Sequence, residues 1–339
     1  MSQWIGTANQ GYSPYAIEEL RRLLGSVKVT QLASGEVFLF ENEQPNVETV
    51  TAVQKELPIF LRHIQPVDVV FEIKGNEEDL TELSDTVRRS RLLLADKRVA
   101  IHLRKAPKTA YTYSASETKT VLEVVLAELE SEPVVQQPDL IIAIYASATE
   151  LYVGFGKPSD MLSDWPGGAV RFQREEGQIS RAKFKLLEAE REFGLDYSSY
   201  RNALDIGAAP GGWTSLLLER GLRVTAIDPG DMHPSLKGHP SLTYLKRNAS
   251  EVKLGPGTFD LLVCDMSWSP MQMCRLVLDL EPTLTSYASA IITVKLMHRK
   301  PMQTIREVKE RLGSAFVISR AKQLFHNREE ITLYLHRKK

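Results

Sequence analysis

The sequence predicts an α/β protein in two parts, an N-terminal α+β region and a C-terminal doubly wound sheet. From Ile179 onward, short apolar runs alternate with helical patterns, as parallel βαβ units require. Within that half, residues 203–230 read as strand, glycine-rich turn, helix and second strand, closing on Asp228. Ahead of it, residues 156–179 are crowded with Gly, Pro, Ser and Asp, the composition of a domain junction.

Residues 1–50 read as strand (Trp4–Thr7), helix (Pro14–Leu24) and two strands (Val27–Leu32 and Val37–Phe40) turned at Ser34-Gly35. Residues 47–62 look helical, and Val67–Ile73 reads as a strand. A helix over Leu80–Leu94 follows from the apolar stripe Leu80, Leu83, Val87 and Leu94. After a strand at Val99–Leu103 comes a helix at Glu117–Leu129, with Ser114 and Ser116 as caps. A hairpin, Leu140–Tyr145 and Glu150–Phe155, completes the region.

Arg88, Arg89, Arg91, Lys97, Arg98, Arg104, Lys105 and Lys108 face the single acid Asp96 in their stretch, and Tyr111 and Tyr113 follow. Clustered cations beside aromatics suit a phosphate backbone with bases to stack. A solvated helix face and loop is the equal alternative.

The C-terminal half opens with a helix from Ser180, a good N-cap, to Phe193, stopped by Gly194. Then comes the turn Asp205-Ile206-Gly207-Ala208-Ala209-Pro210-Gly211-Gly212-Trp213. Its glycines allow a tight bend and close approach of backbone to a ligand, and Pro210 ends the strand. It lacks the Gly-x-Gly-x-x-Gly of dinucleotide sites, and Pro210 leaves less room for a pyrophosphate. A nucleoside without phosphates fits better. S-adenosylmethionine is the obvious one, with Asp228 placed to accept hydrogen bonds from its ribose diol. Further strands at Leu242–Lys246, Leu261–Cys264 and Ala290–Val294 and a C-terminal hairpin (Ala315–Ser319, Ile331–His336) complete the sheet, with helices at Met271–Leu280 and Met302–Leu312 between.

Ligands bind at the carboxyl ends of such strands. Asp228, Asp265 and Lys295 fall there, each directly after an apolar run. Charge in these places is expensive unless used or paired.

With these residues the sequence resembles the FtsJ-like ribose 2′-O-methyltransferases of RNA over about residues 180–337. Those enzymes carry a Lys-Asp-Lys-Glu tetrad. Its first lysine, in a Ser-Arg-Ala-x-x-Lys-Leu helix start, matches Lys185. Its aspartate matches Asp265, its second lysine Lys295, and its glutamate Glu330, with Glu329 as the alternative. The sequence is similar in particular to the RlmM-like enzymes, which methylate a cytidine ribose in 23S ribosomal RNA. The shared features are the junction Ser163-Asp164-Trp165-Pro166, the run Arg328-Glu329-Glu330 and a long N-terminal part.

The resemblance implies a ferredoxin-like unit over 1–50, a THUMP-like RNA-binding domain over 51–160, a linker over 161–179 and a Rossmann-like methyltransferase domain over 180–339. It implies S-adenosylmethionine as cofactor, held by Ser180, Asp205, Gly207, Ala209, Pro210, Gly211, Gly212, Trp213, Asp228, Asn248 and Asp265, and RNA as substrate. Lys295 takes the role of general base by position and resemblance, with partial burial and the second cation Lys185 lowering its pKa. Lys185 steers the hydroxyl or tunes Lys295, and Asp265 and Glu330 orient both. His298, Arg299 and Lys300 either touch RNA phosphate or cap the strand end. The loop Met266-Ser267-Trp268-Ser269-Pro270 departs from the family's usual Asp-Met-Ala-Pro-Asn-like segment.

Composition bounds the alternatives. Hydrophobic residues are 43% of the chain, too many for disorder, and no apolar run is long enough for a membrane helix. Met1-Ser2-Gln3-Trp4 offers no secretory signal, and two cysteines, Cys264 and Cys274, suit a reducing, cytoplasmic setting without a zinc site. A net charge of −1 confines any basic surface to a local patch. A non-catalytic RNA-binding or ribosome-assembly factor and a small-molecule methyltransferase are the competing functions. The oligomeric state is not encoded in any of these features.

Overall fold

The computed structural model describes residues 1–174, 176–297 and 300–339. They divide into two compact units, Met1–Val170 and Arg171–Lys339.

The first unit holds two sheets. Strand β1 (Ser2–Thr7), helix α1 (Ser13–Leu24), strands β2 (Lys28–Ala33) and β3 (Val37–Asn42), helix α2 (Asn46–Lys55) and strand β4 (His63–Pro66) form a βαββαβ unit. Its four-stranded sheet has the order β2-β3-β1-β4, the ferredoxin-like arrangement. The unit therefore runs to Pro66 and not to residue 50, because β4 pairs with β1. The helix expected to reach residue 62 stops at Lys55, ahead of Pro58, which cannot supply a helical N–H.

The second sheet uses β5 (Val69–Glu72), α3 (Glu77–Arg89), α4 (Arg91–Leu94), β6 (Arg98–Lys105), α5 (Ala115–Glu128), β7 (Glu132–Pro133), β8 (Leu140–Ala146) and β9 (Glu150–Gly156). Its order is β5-β9-β8-β6-β7, and this α/β topology is compatible with the THUMP-like expectation. Local chemistry fixes the helices. The Asn76 side chain accepts from the Glu78 N–H at the start of α3, and Ser114 and Glu117 form a capping box on α5. The expected strand at Val67–Ile73 is shorter, since β4 and β5 belong to different sheets.

Part of the basic run is occupied within this unit. Arg88 pairs with Asp85 and Glu128, and Arg89 with Glu82. Arg104 is half-buried and donates to Thr7 Oγ1 at 2.8 Å, and Lys105 donates to the Tyr113 carbonyl. Tyr111 is 1% exposed and lies in the core, so it cannot stack a base. The stretch expected to be a linker is likewise partly core. Met161 is buried with Ala100, Ile141 and Ala143. Gly167 and Gly168, at φ +61° and +69°, let the turn after Trp165 press against Arg104 and Arg62.

The second unit begins with α6 (Ala182–Glu192) and continues through β10 (Asn202–Ile206), α7 (Gly212–Glu219), β11 (Arg223–Ile227), β12 (Leu242–Leu245), β13 (Phe259–Cys264), α8 (Pro270–Leu280), β14 (Leu284–Lys295), α9 (Pro301–Leu312), β15 (Phe316–Lys322) and β16 (Glu330–Arg337). The seven-stranded sheet has the order β12-β11-β10-β13-β14-β16-β15. Strands β10 to β14 are mutually parallel, and β16 inserts antiparallel between β14 and β15. The chain order reverses between β10 and β13, which opens a ligand crevice at their carboxyl ends. β14 is buried continuously from Ala288 to Val294 and becomes exposed at Lys295. Covered on both faces, it must be apolar until it leaves the sheet. Among the described residues no helix is long and apolar enough to cross a membrane.

Candidate active site

The carboxyl edge of the second unit's sheet gathers charge from four elements. Lys185, in the first turn of α6, places its Nζ 3.2 Å from both oxygens of Asp265, the residue after β13. The same ammonium lies 2.8 Å from Glu330 Oε1, at the first residue of β16. Because β16 is antiparallel, its start meets the end of β14, and the register sets Glu330 opposite Lys295. Glu329 instead gives its backbone carbonyl to the Leu296 N–H, at 2.7 Å. Thr293 Oγ1 donates to Asp265 Oδ1 at 2.7 Å, fixing the carboxylate from the neighbouring strand.

The three members of the clamp are largely buried, at 17–21% side-chain exposure. Burial alone would lower the Lys185 pKa. The Asp265 charge and the Glu330 hydrogen bond outweigh it, and the pKa is raised above the ordinary lysine value. Lys185 is therefore a fixed cation, its ammonium held on three carboxylate oxygens. Lys295 is exposed, contrary to the partial burial expected of it, because it is the last residue of β14, at the open edge of the sheet. Among the described residues no carboxylate pairs with it. Of the three cations expected after it, His298 and Arg299 lie outside the described residues, and Lys300 is exposed.

The glycine turn lies on the same edge. Gly207 takes φ +77°, and a Cβ there would sit 2.7 Å from Met266 Cγ and 3.1 Å from the Asp265 carbonyl oxygen. The turn and the segment that follows β13 thus touch. Ala209 and Pro210, joined by a cis peptide, are the solvent-facing part, and Gly211 at φ +111° starts α7 against Met232 and Leu236. Gly212 backs onto Ser180, whose hydroxyl is buried without a partner. Ser180 is not the helix cap expected, since α6 starts later and Arg181 occupies the cap position. Its unpartnered oxygen is one of the features that fit a ligand.

Asp205 is 1% exposed and accepts from Thr214 Oγ1 at 2.6 Å, tying β10 to α7. Burial, with added repulsion from Asp265 and Asp228, pushes its pKa up to about 7. Three carboxylates converging on one turn favour a cationic ligand, and S-adenosylmethionine carries a sulfonium and an ammonium. Asp228 follows β11, half-buried, and holds the Gly230 N–H at 2.6 Å through one oxygen, leaving the other for a ligand hydroxyl. Asn248 is exposed and donates to Glu251 at 2.8 Å. Trp213 is core: it is 3% exposed and its indole N–H goes to the Ala182 carbonyl at 2.8 Å, so only its backbone is open to a ligand. Both thiols are buried and their pKa values pushed up, which removes a cysteine nucleophile from consideration.

Thr293 and Met266 are additions that sequence reasoning missed. Thr293 precedes Lys295 by two positions and so shares its strand face, the one signal that could have found it. Met266 left no signal, since its role depends on contact with Gly207.

Residues 178–312 match the family model described as FtsJ-like methyltransferase. A protein of Halorhodospira halophila named Ribosomal RNA large subunit methyltransferase M is 38% identical over 51% of this chain and 51% of its own length. One of the same name from Serratia proteamaculans is 28% identical over 88% of this chain and 85% of its own. TrmN from Thermus thermophilus is similar at a TM-score of 0.41 and 13% identity, over 99% of this chain and 100% of its own. The chain spans about half the length of the first curated relatives it matches, 51% in the case above. The second unit of this chain is an FtsJ-like methyltransferase domain.

Proposed function

We propose that the protein transfers a methyl group from S-adenosylmethionine to a ribose 2′-hydroxyl of RNA, with a cytidine of large-subunit (23S) ribosomal RNA as target. The observation that carries this reading is the clamp of one ammonium, Lys185, between Asp265 and Glu330, with Lys295 at the register position opposite Glu330. The name carried by the relatives supports ribosomal RNA as the substrate class. RNA of that kind is a cytoplasmic substrate, and the THUMP-like part of the first unit would contribute to holding it.

The cofactor, when bound, supplies an electrophilic methyl on its sulfonium. Asp228 would accept its ribose hydroxyls, Gly207 and Ala209 would give it backbone room, and Asp205, Asp228 and Asp265 would offset its positive charge. A 2′-hydroxyl is a weak nucleophile until its proton leaves. Lys295 would take that proton on Nζ, leaving the 2′-oxygen free to accept the methyl group that the cofactor supplies. Lysine acts as a base only when neutral. Docking of RNA over the exposed Lys295 would remove its water, the condition under which a lysine can act as a base. Asp265 and Glu330 hold Lys185, and Thr293 holds Asp265, so that the ammonium's charge would orient the hydroxyl.

Large-subunit RNA from cells lacking the modification, incubated with methyl-labelled cofactor, tests the reading. Wild type should label RNA at a ribose, and Lys295→Ala should fall by about 10²-fold or more. Equal labelling by both proteins would remove Lys295 from its role. Label in no RNA fraction would favour a non-catalytic RNA-binding factor or a small-molecule methyltransferase.

A further inference from the structure

We infer that Trp268 is the stacking platform for the base of the nucleotide whose ribose is methylated. This rests on the RNA methyltransferase reading above and adds a substrate-positioning residue to it.

Trp268 lies on the short loop from Asp265 to Ser269, between β13 and α8, and both ends of this loop are pinned. At its start, the Asp265 N–H donates to the Ile206 carbonyl at 3.4 Å, and the Asp265 carboxylate is held by Lys185 and Thr293. Met266 packs against Gly207. At its end, Ser269 forms a capping box with Gln272, and the buried Pro270 is the first residue of α8. Between these anchors Trp268 is 37% exposed. A large aromatic on a pinned loop costs little entropy to hold in place, which is what a recognition surface needs.

Its surroundings commit it to a nucleotide. Strands β13 and β14 are parallel neighbours, so the loops that follow them leave the same sheet edge. The β14 loop presents Lys295 and then Met297, which is 51% exposed, and Met271 on α8 is 42% exposed. Lys295, Lys300 and Arg328 are exposed cations on the segments around this edge. A stable protein interface takes roughly 20–30 residues a side. Three exposed apolar side chains bordered by cations match a single base with its phosphates. Stacking is indifferent to base identity, so the platform would position the nucleotide and leave its identity to other contacts.

The test compares the full-length wild type with Trp268→Ala and Trp268→Phe. Three quantities are measured: KM and kcat on unmodified large-subunit RNA, cofactor affinity by calorimetry, and quenching of tryptophan fluorescence by a short single-stranded RNA. The platform requires Trp268→Ala to raise KM for RNA on the order of tenfold or more. Trp268→Phe should recover most of that, cofactor affinity should be unchanged, and the quenching should vanish in Trp268→Phe. An unchanged KM in Trp268→Ala, with wild type active, overturns the inference. So does a matching loss of cofactor binding, which would make the loop a structural support. If wild type methylates no RNA, the functional reading fails by itself. Quenching that depends on Trp268 would then still uphold the platform, and its absence would overturn it.

Discussion

Lys185 reaches Glu330 across the sheet edge at 2.8 Å, joining the first turn of α6 to the start of a strand near the far end of the chain. The pair closes the site because Asp265 lies on the other side of the same ammonium, at 3.2 Å. Removing the cation leaves two largely buried carboxylates without compensation, the costly way to break a buried pair. Lys185→Met should abolish methyl transfer and destabilise the second unit by about 1–3 kcal/mol at neutral pH. The raised Lys185 pKa means that the clamp's stabilisation is complete below the ordinary lysine pKa and is lost only as pH rises through the folded value. Urea unfolding at two pH values alongside a methylation assay checks this. Unchanged stability with lost activity would make the clamp purely catalytic.

Gly207 separates two uses of a glycine. A Cβ there meets Met266 and the Asp265 carbonyl, while a Cβ at Gly221, also at positive φ, meets nothing within 4 Å. Both Gly207→Ala and Gly221→Ala incur backbone strain of about 1 kcal/mol. Only Gly207→Ala should also weaken binding of S-adenosylhomocysteine, by an order of magnitude or more, because the displaced Asp265 backbone borders the ligand crevice. Calorimetric titration of both variants checks the contrast. Equal affinities would detach the turn from the cofactor.

Much of this site was legible because strand ends and turns carry local signals. Asp228, Asp265 and Lys295 each follow an apolar run, and the glycines mark the bend. What could not be read was pairing over long sequence distances. The sequence places Arg88 in a basic run and Tyr111 just after it, and only the fold sets Glu128 beside the one and closes the core over the other. Ser180 matched a capping rule, yet α6 starts past it and leaves its hydroxyl unpartnered against α7. The ferredoxin-like unit was drawn too short because β4 pairs with β1, a non-local contact that composition does not encode.

Asp205 should couple cofactor binding to protons. Its pKa, pushed up to about 7 by burial and by the two neighbouring acids, lies above its unfolded value. The unliganded fold therefore binds the extra proton between about pH 4 and 7, so this stabilisation is present below the unfolded pKa and lost as pH rises through 7. A cationic cofactor favours the carboxylate. Affinity for S-adenosylmethionine should rise between pH 6 and 8, with proton release on binding, and Asp205→Asn should flatten the profile. Calorimetry in buffers of different ionisation enthalpy measures the released proton directly. No release, with a flat wild-type profile, would mean that Asp205 is already ionised.

The first unit carries the opposite pH signature. His63 and His102 are 2% and 6% exposed, and both ring nitrogens of His63 and Nδ1 of His102 lack partners. Burial, reinforced by the Lys119 and Arg104 charges and opposed by Asp164, lowers His102 to about 4. His63 lies well below its ordinary value through burial and then the charges of Arg104, His102 and Arg62. Both rings are neutral in the folded chain, since a proton on His63 would face Arg104 and Arg62, and one on His102 would face Lys119 and Arg104. For a base with a lowered folded pKa, stability is complete above the unfolded value near 6.5 and falls as pH drops towards the folded one. The His102 shift is worth about 3 kcal/mol over that window. Hydrogen exchange of the β6 and β8 amides, followed from pH 7 to pH 4.5 and corrected for intrinsic rates, should show accelerating opening. His102→Asn should remove part of that slope while leaving the second unit's strands unaffected. A slope identical in wild type and variant would place the acid sensitivity elsewhere.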